Sequence, residues 1–396
     1  MSTENPTQPG RLSPLNQVHD EASAVFTTFA GWRMPVRYTS DGAEHRAVRT
    51  AAGLFDLSHM GEIVLVGPEA AQALDYALAG TLSALQPFQA KYSLLLNTDG
   101  GILDDVIVYR TGEDRFMVVA NAANTGTVLS ELTRRAESFD TLVSDESADI
   151  ALLAIQGPLS NTILAGMSDF RVDDGTARSF VQCLTDLRYY RSFPATWAGE
   201  PVLIARTGYT GEDGFELYTS PDKAPALWDA LVHAGAEHGL IPAGLASRDT
   251  LRLEAGMPLY GHELTTQTTP VRAGLGRVVD FSKPGDFVGR TALEREPDES
   301  APVLVGLVGE GKRAAREGYD VVVPSDDGQG TERVGVITSG VLSPTLGVPL
   351  AMAYVTPPFA TVGTTLSVDI RGSLHDFTVT HLPFYRRKKN EHGCSA

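Results

Sequence analysis

Two adjacent aspartates, Asp104 and Asp105, stand in Ile102-Leu-Asp-Asp-Val-Ile-Val-Tyr109, a run that is otherwise apolar and β-branched. A carboxylate in or beside buried surface needs a partner, a raised pKa or a function. The chemistry open to such a group is acid–base work or the holding of a polar donor. This run follows Tyr92-Ser-Leu-Leu-Leu96 across Asn97-Thr-Asp-Gly-Gly101. Glycine there supplies φ > 0, so the stretch reads as a β-hairpin. Side chains alternate along a strand. Asp105 is therefore expected on a face with Leu103, Ile107 and Tyr109, and Asp104 on a face with Ile102, Val106 and Val108. The two carboxylates then point apart and should not share a role. The bland alternative is that both serve the turn or nearby backbone donors.

Other stretches offer polar groups in apolar surroundings. Phe116-Met-Val-Val-Ala-Asn121-Ala-Ala-Asn124 is a strand ending in two amides, and Asn124 looks like the N-cap of the helix that follows. Arg206-Thr-Gly-Tyr209-Thr-Gly-Glu-Asp-Gly-Phe-Glu216 is a glycine-rich loop running into a strand. Its glycines let backbone approach a ligand, Tyr209 offers a flat face with a hydroxyl, and Glu216 sits between Phe215 and Leu217. Pro242 to Pro258 reads as a helix with Arg248 and Arg252 near one face. Its bland reading is a salt-bridged surface helix. The functional one is a guanidinium reading a heterocycle or an anionic tail. His59 has no nucleophile or metal motif beside it and reads as a hydrogen-bonded core or loop histidine.

These groups need elements to position them. A chain of 396 residues with 42% hydrophobic and 20% charged residues has material for two or three domains. A short helix is expected after Leu15, a second one capped by Ser40 or Asp41, and a third from Pro68 to about Ala79. Strands are expected at Ile150–Ile155 and Pro201–Arg206. Residues 1–14 read as a loose tail, and Glu294 to Pro302 as a charged linker. Beyond it, Val303–Val308, Asp320–Val323, Arg333–Thr338, Leu350–Val355 and Thr365–Ile370 are short strands spaced by turns, the pattern of a small antiparallel barrel or sandwich. The expected class is α+β. Residues 15–293 form the main region, 294–302 the linker and 303–396 a barrel domain ending in the basic run Arg386-Arg-Lys-Lys389.

A formal charge of −17 argues against nucleic-acid and anionic-membrane binding. Cys183 and Cys394 are far apart, and the nine histidines form no H-x-x-x-H pair, so neither a disulfide nor a metal site is expected. No run is long and apolar enough for a membrane span, and no leader is visible. The cytoplasm and a monomer are the expectations. Gly309-Glu-Gly-Lys-Arg313 lacks the Ser or Thr of a phosphate loop, and Gly274-Leu-Gly276 lacks a dinucleotide context, so no nucleotide is expected.

Seven blocks in order carry a resemblance to a known family: Phe29-Ala-Gly-Trp-Arg-Met-Pro, Gly53-Leu-Phe-Asp-Leu-Ser-His-Met-Gly-Glu, Gly100-Gly-Ile-Leu-Asp-Asp, Arg206-Thr-Gly-Tyr-Thr-Gly-Glu-Asp-Gly-Phe-Glu, Pro242-Ala-Gly-Leu-Ala-Ser-Arg-Asp, Arg252-Leu-Glu-Ala-Gly-Met-Pro-Leu-Tyr-Gly and Thr338-Ser-Gly-Val-Leu-Ser-Pro-Thr-Leu-Gly. The sequence resembles the glycine cleavage system T-protein, a tetrahydrofolate-dependent aminomethyltransferase. The resemblance implies a three-lobed arrangement, two α+β lobes around a central folate site plus a C-terminal β-barrel. It implies transfer of the one-carbon unit of an aminomethyl group from the lipoyl arm of H-protein to tetrahydrofolate. The products are 5,10-methylenetetrahydrofolate, ammonia and the dihydrolipoyl arm. It picks Asp105 as the catalytic residue and leaves Asp104 as a structural partner. Glu216 and Arg248 match pterin and tail-side contacts, and Tyr92, Tyr109, Asn121, Tyr209 and Met60 match lining residues. Thr28, Arg272 and Arg277 depart from the family's usual pattern. Two other activities share the fold: a folate-dependent demethylase acting on a free substrate, and a non-catalytic folate-binding protein. The second carries a Lys-Gly-Cys motif that neither cysteine here matches.

Overall fold

In the computed structural model, which describes residues 10–172, 177–295, 298–325 and 330–387, the two paired runs form the expected hairpin. Strand Ala90–Leu96 lies antiparallel to strand Ile102–Arg110. Asn97 organises the turn: its side-chain oxygen accepts from the Asp99 and Gly101 amides at 3.0 and 2.8 Å. Gly100 takes a φ of +81°, open to it because it has no Cβ.

The register slips between Leu95 and Leu96, so that Leu95 pairs with Asp104, Leu96 pairs with Ile102, and Leu103 is the extra residue of a β-bulge. The bulge overturns the expected faces on the N-terminal side of Asp104. Ile102 packs with Leu94 and Leu96, and Leu103 packs beside Val106 and Val108. The cause is distant in sequence. The Ile102 amide donates to the Thr265 and Thr268 carbonyls, both at 3.1 Å, instead of joining the hairpin ladder.

Two compact units emerge, one made of the residues up to Gly61 with Glu146–Gly208 and Glu212–Arg248, the other of Glu62–Asp145, Tyr209–Gly211 and the chain from Asp249 onward. The hairpin belongs to the second. There it forms a five-stranded sheet with Arg115–Ala120, Gly61–Val66 and Leu142–Asp145. Helices Ala70–Ala77 and Thr125–Ala136 cover one face, packing Leu74, Val128 and Leu132 against Leu95, Val106, Val108 and Phe116. Each such large side chain contributes about 1.5–3 kcal/mol when fully removed from water. On the other face Leu94, Leu96 and Ile102 meet Leu264, Ala273, Val279 and Phe287.

The second unit also holds a closed six-stranded barrel, ordered Val303–Gly309, Pro349–Val355, Thr331–Leu342, Asp320–Pro324, Thr365–Ile370 and Ser373–Thr380. Leu307, Ile337, Ala353, Val368 and Phe377 fill its interior. Ser373–Thr380 adds to the five strands expected. His375 and Asp376 interrupt its apolar signal, yet Phe377 and Val379 alternate inward. Arg272, a departure from the family pattern, donates from Nε to the Pro302 carbonyl at 3.0 Å, beside the first barrel strand.

The first unit is built on a seven-stranded sheet in which Ala52–Asp56 lies between Ala151–Gln156 and Leu240–Pro242. The glycine-rich loop runs into its strand Gly214–Thr219, as the sequence indicates. Residues 11–13 of the expected tail are held in the structure. Arg11–Leu12 pairs in parallel with Trp32–Arg33, and the Ser13 hydroxyl donates to the buried Asp56 carboxylate. Residues 1–9, and Lys388 and Lys389 of the basic run, lie outside the described residues. Among the described residues no helix is long and apolar enough to cross a membrane.

Candidate active site

The strand Arg115–Ala120 runs beside the aspartates and ends at Asn121, which ties both of them together. The Asn121 side-chain nitrogen donates to Asp104 Oδ1 at 2.8 Å and to Asp105 Oδ1 at 2.9 Å. Its backbone N–H donates to Asp104 Oδ2 at 3.0 Å. Asn124 Nδ2 donates to Asp104 Oδ1 at 2.7 Å, and the Tyr92 hydroxyl donates to Asp105 Oδ2 at 3.1 Å. Asp104 is fully buried, whereas Asp105, Tyr92 and Asn121 are half-buried.

Burial raises the proton affinity of both carboxyls, and the charge on Asp105 raises that of Asp104 further. One amide, that of Asn121, spans the strand and meets both carboxylates. The cap expected at Asn124 is corrected. It precedes helix Thr125–Ala136 but makes no side-chain capping bond, because its amide is spent on Asp104.

The remaining expected residues of this unit stand differently. Tyr209 is half-buried and donates its hydroxyl to the Pro258 carbonyl at 2.5 Å. Tyr109 has no exposed surface and lies inside the sheet, so it does not line an accessible wall in this conformation. Tyr260, not singled out in the sequence, is close enough to both aspartates that burial first, and then their charges, raise its pKa. Arg252 is not on a surface helix. Its side chain is 2% exposed and bonds Glu263 at 2.9 Å, Ser339 at 2.8 Å and Asp249.

In the first unit, Glu216 is buried on strand Gly214–Thr219 and accepts from Thr207 Oγ1 at 2.5 Å and from the Tyr218 hydroxyl at 3.3 Å. Gly208 and Gly214 are forced by the Gln156 side chain, which a Cβ at either position would meet at 2.0 or 2.4 Å. The Gln156 amide in turn holds the Thr207 carbonyl at 3.0 Å, fixing the residue that serves Glu216. Arg248 is half-buried on helix Leu245–Glu254, and Met60 is half-buried in the turn after Leu57. His59 is buried with its ring edge-to-face on Phe29 at 5.5 Å. Contrary to the hydrogen-bonded histidine expected, its Nδ1 has no partner among the described residues. Burial, aided by the Arg248 charge and opposed by Asp56, pushes its pKa down to about 4, so the ring is neutral at pH 7.

Sequence reasoning gave Asp104 a structural role and Asn124 a capping role, and did not single out Tyr260. The available signal was an Asp-Asp pair on one strand followed by Asn-x-x-Asn at the end of its neighbour. Amides at a strand end can reach back across one ladder spacing of about 4.8 Å.

The comparisons with known proteins agree along nearly the whole chain. A family model described as the GCVT N-terminal domain matches residues 15–283, and one described as the glycine cleavage T-protein C-terminal barrel domain matches residues 303–386. An aminomethyltransferase of Cutibacterium acnes is 55% identical over 380 residues, covering 95% of this chain and 99% of its own. One of Streptomyces coelicolor is 54% identical over 384 residues, covering 96% and 98%. The crystal structure of glycine cleavage system aminomethyltransferase T from Bartonella henselae matches with a TM-score of 0.83 at 36% identity, over 96% of this chain and 99% of that one. A mixed α/β chain with a closed six-stranded C-terminal barrel, matched by both family models, belongs to the glycine cleavage T-protein family of aminomethyltransferases.

Proposed function

We propose that this aminomethyltransferase takes the aminomethyl group carried through sulfur on the lipoyl arm of an H-protein and passes its one-carbon unit to tetrahydrofolate. The carbon–sulfur bond breaks to return the dihydrolipoyl thiol, and the carbon–nitrogen bond breaks to release ammonia. Two new carbon–nitrogen bonds form on the folate. The observation that carries the reading is the half-buried Asp105 carboxylate, aimed by Tyr92 and Asn121 and raised in proton affinity by burial. A carboxylate so held can receive the proton that the attacking amine loses, and its charge stabilises the carbon as it becomes electron-poor.

Glu216, Arg248 and Met60 are the proposed folate contacts of the first unit. A carboxylate is the acceptor that the amino and ring N–H donors of a pterin require. A guanidinium suits an anionic glutamate tail. Tyr209 is the proposed stacking face of the second unit.

The test is single-turnover transfer from aminomethyl-loaded H-protein to tetrahydrofolate, reading ammonia and methylenetetrahydrofolate. Asp105→Asn is expected to keep folate binding and to lose about 10²–10⁴ in rate. A wild-type rate in that variant overturns the assignment.

A further inference from the structure

We propose that Asp104 is a positioning residue for Asp105: the two carboxylates act as one proton-sharing unit, joined through the Asn121 amide, with Asn124 holding Asp104 in place. The inference rests on the reading that Asp105 does the chemistry.

The geometry is that of a shared clamp. One side-chain nitrogen, Asn121 Nδ2, lies 2.8 Å from Asp104 Oδ1 and 2.9 Å from Asp105 Oδ1. Two anionic oxygens are thereby drawn to the same donor from opposite faces of one strand. The donors that meet the pair are neutral: Asn121 through its side chain and backbone, Asn124, and the Tyr92 hydroxyl. Tyr260, the further titratable group facing them, is a neutral phenol near pH 7. The helix Thr125–Ala136 that covers the Asp104 face carries Glu131, Arg134 and Arg135. These pair among themselves, and Arg135 also donates to the Ala77 and Leu96 carbonyls at 2.7 and 2.6 Å.

Two like charges drawn together in buried surroundings do not both ionise easily, so one proton stays with the pair. The retained proton belongs to the pair as a whole and comes off in two macroscopic steps rather than at either carboxyl alone. An aspartate that is only structural needs no second carboxylate within reach of its own donor. The pair brings the working proton affinity of Asp105 toward neutral pH, where an acid–base group is most effective. Asp105 can then take the proton that the folate amine gives up and deliver it to the departing ammonia. The second proton that the folate nitrogens lose goes to the departing dihydrolipoyl sulfur, so bonds and protons balance without a further reagent.

The experiment pairs two measurements on the full-length enzyme: carboxyl titration by ¹³C NMR with labelled aspartate, without ligand, and the pH–rate profile of single-turnover transfer. Wild type is expected to show two linked steps above the ordinary aspartate range. Asp104→Asn is expected to leave one step for Asp105, lower by about one pH unit or more, with the acid limb of the rate profile moving down by the same amount. Asn124→Ala keeps both carboxylates and removes one donor from Asp104, so the upper step is expected to rise. It serves as the second variant should Asp104→Asn fold poorly. A folded variant in which Asp105 titrates where it does in wild type overturns the proposal. So does an NMR shift with an unmoved rate limb, or a uniform loss of rate at every pH, which marks a purely structural role. Wild-type turnover in Asp105→Asn instead overturns the functional reading, while the NMR arm still decides whether the pair shares a proton.

Discussion

Asn124 begins the helix Thr125–Ala136 and yet gives its side-chain amide to Asp104, 20 residues earlier in the chain, at 2.7 Å. A helix start forgoes its usual side-chain cap, a loss of about 1 kcal/mol, so that a buried carboxylate gains a donor. Local stability of the helix start is given up to partner a buried carboxylate.

That arrangement makes stability depend on pH in a defined sense. The folded-state pKa values of Asp104 and Asp105 are raised above the unfolded value of 3.8 by burial, and that of Asp104 also by the Asp105 charge. Their contribution to stability is therefore fully present below pH 3.8 and is lost as pH rises through the raised values. Asp105→Asn removes one member of the pair. It is expected to melt higher than wild type at pH 8, with the difference shrinking toward pH 5, in thermal melts at matched ionic strength. A difference that grows toward pH 5 contradicts the direction.

The buried pair Arg252–Glu263, at 2.9 Å with both side chains at most 2% exposed, fastens the end of helix Leu245–Glu254 within the second unit. Removing one partner strands a charge. Arg252→Met is expected to destabilise by about 3–5 kcal/mol, and the double variant Arg252→Met/Glu263→Met to recover most of that. Denaturant unfolding of the two single variants and the double variant gives the coupling energy. Additive losses would mean that the pair does not act as one.

Gly101 closes the hairpin turn where a Cβ would lie 1.8 Å from the Thr266 carbonyl oxygen. That carbonyl also accepts from Asn97 Nδ2 at 3.0 Å. Gly101→Ala must push the turn and the segment around Thr266 apart, at a cost of about 1–3 kcal/mol. Because Ile102 is held to Thr265 and Thr268, the aspartates should move with it, and transfer should slow more than folate binding weakens. Equal loss of both, read from single-turnover rate and folate titration, argues that the turn does not position Asp105.

What was legible in the chain follows the range of the forces involved. The hairpin could be read because Asn97, Gly100 and Gly101 build its turn from residues within five positions of one another. Ser40 could be read as a cap for the same reason, and it accepts from the Ala43 amide at 3.3 Å. The bulge at Leu103 could not, since its cause is an amide captured by carbonyls of Thr265 and Thr268. The role of Glu44 in the helix capped by Ser40 could not be read, since its carboxylate accepts from the backbone of Tyr38, Thr39 and, 200 residues on, Gly244. Periodicity showed which face of a strand each aspartate takes. It carried no sign that one amide on the neighbouring strand would reach both.

The order of strands also sets a timetable for folding. The five strands of the hairpin's sheet all fall between Gly61 and Asp145, so that sheet can pair as soon as its own segment has left the ribosome. Ala52–Asp56 was synthesised earlier but pairs with Ala151–Gln156 and Leu240–Pro242, so it waits about 100 further residues for its first neighbour and about 190 for its second. At roughly 5–20 residues per second the first wait lasts on the order of ten seconds. During that wait the apolar Ala-Gly-Leu-Phe run is exposed, although in the finished protein the strand is buried throughout.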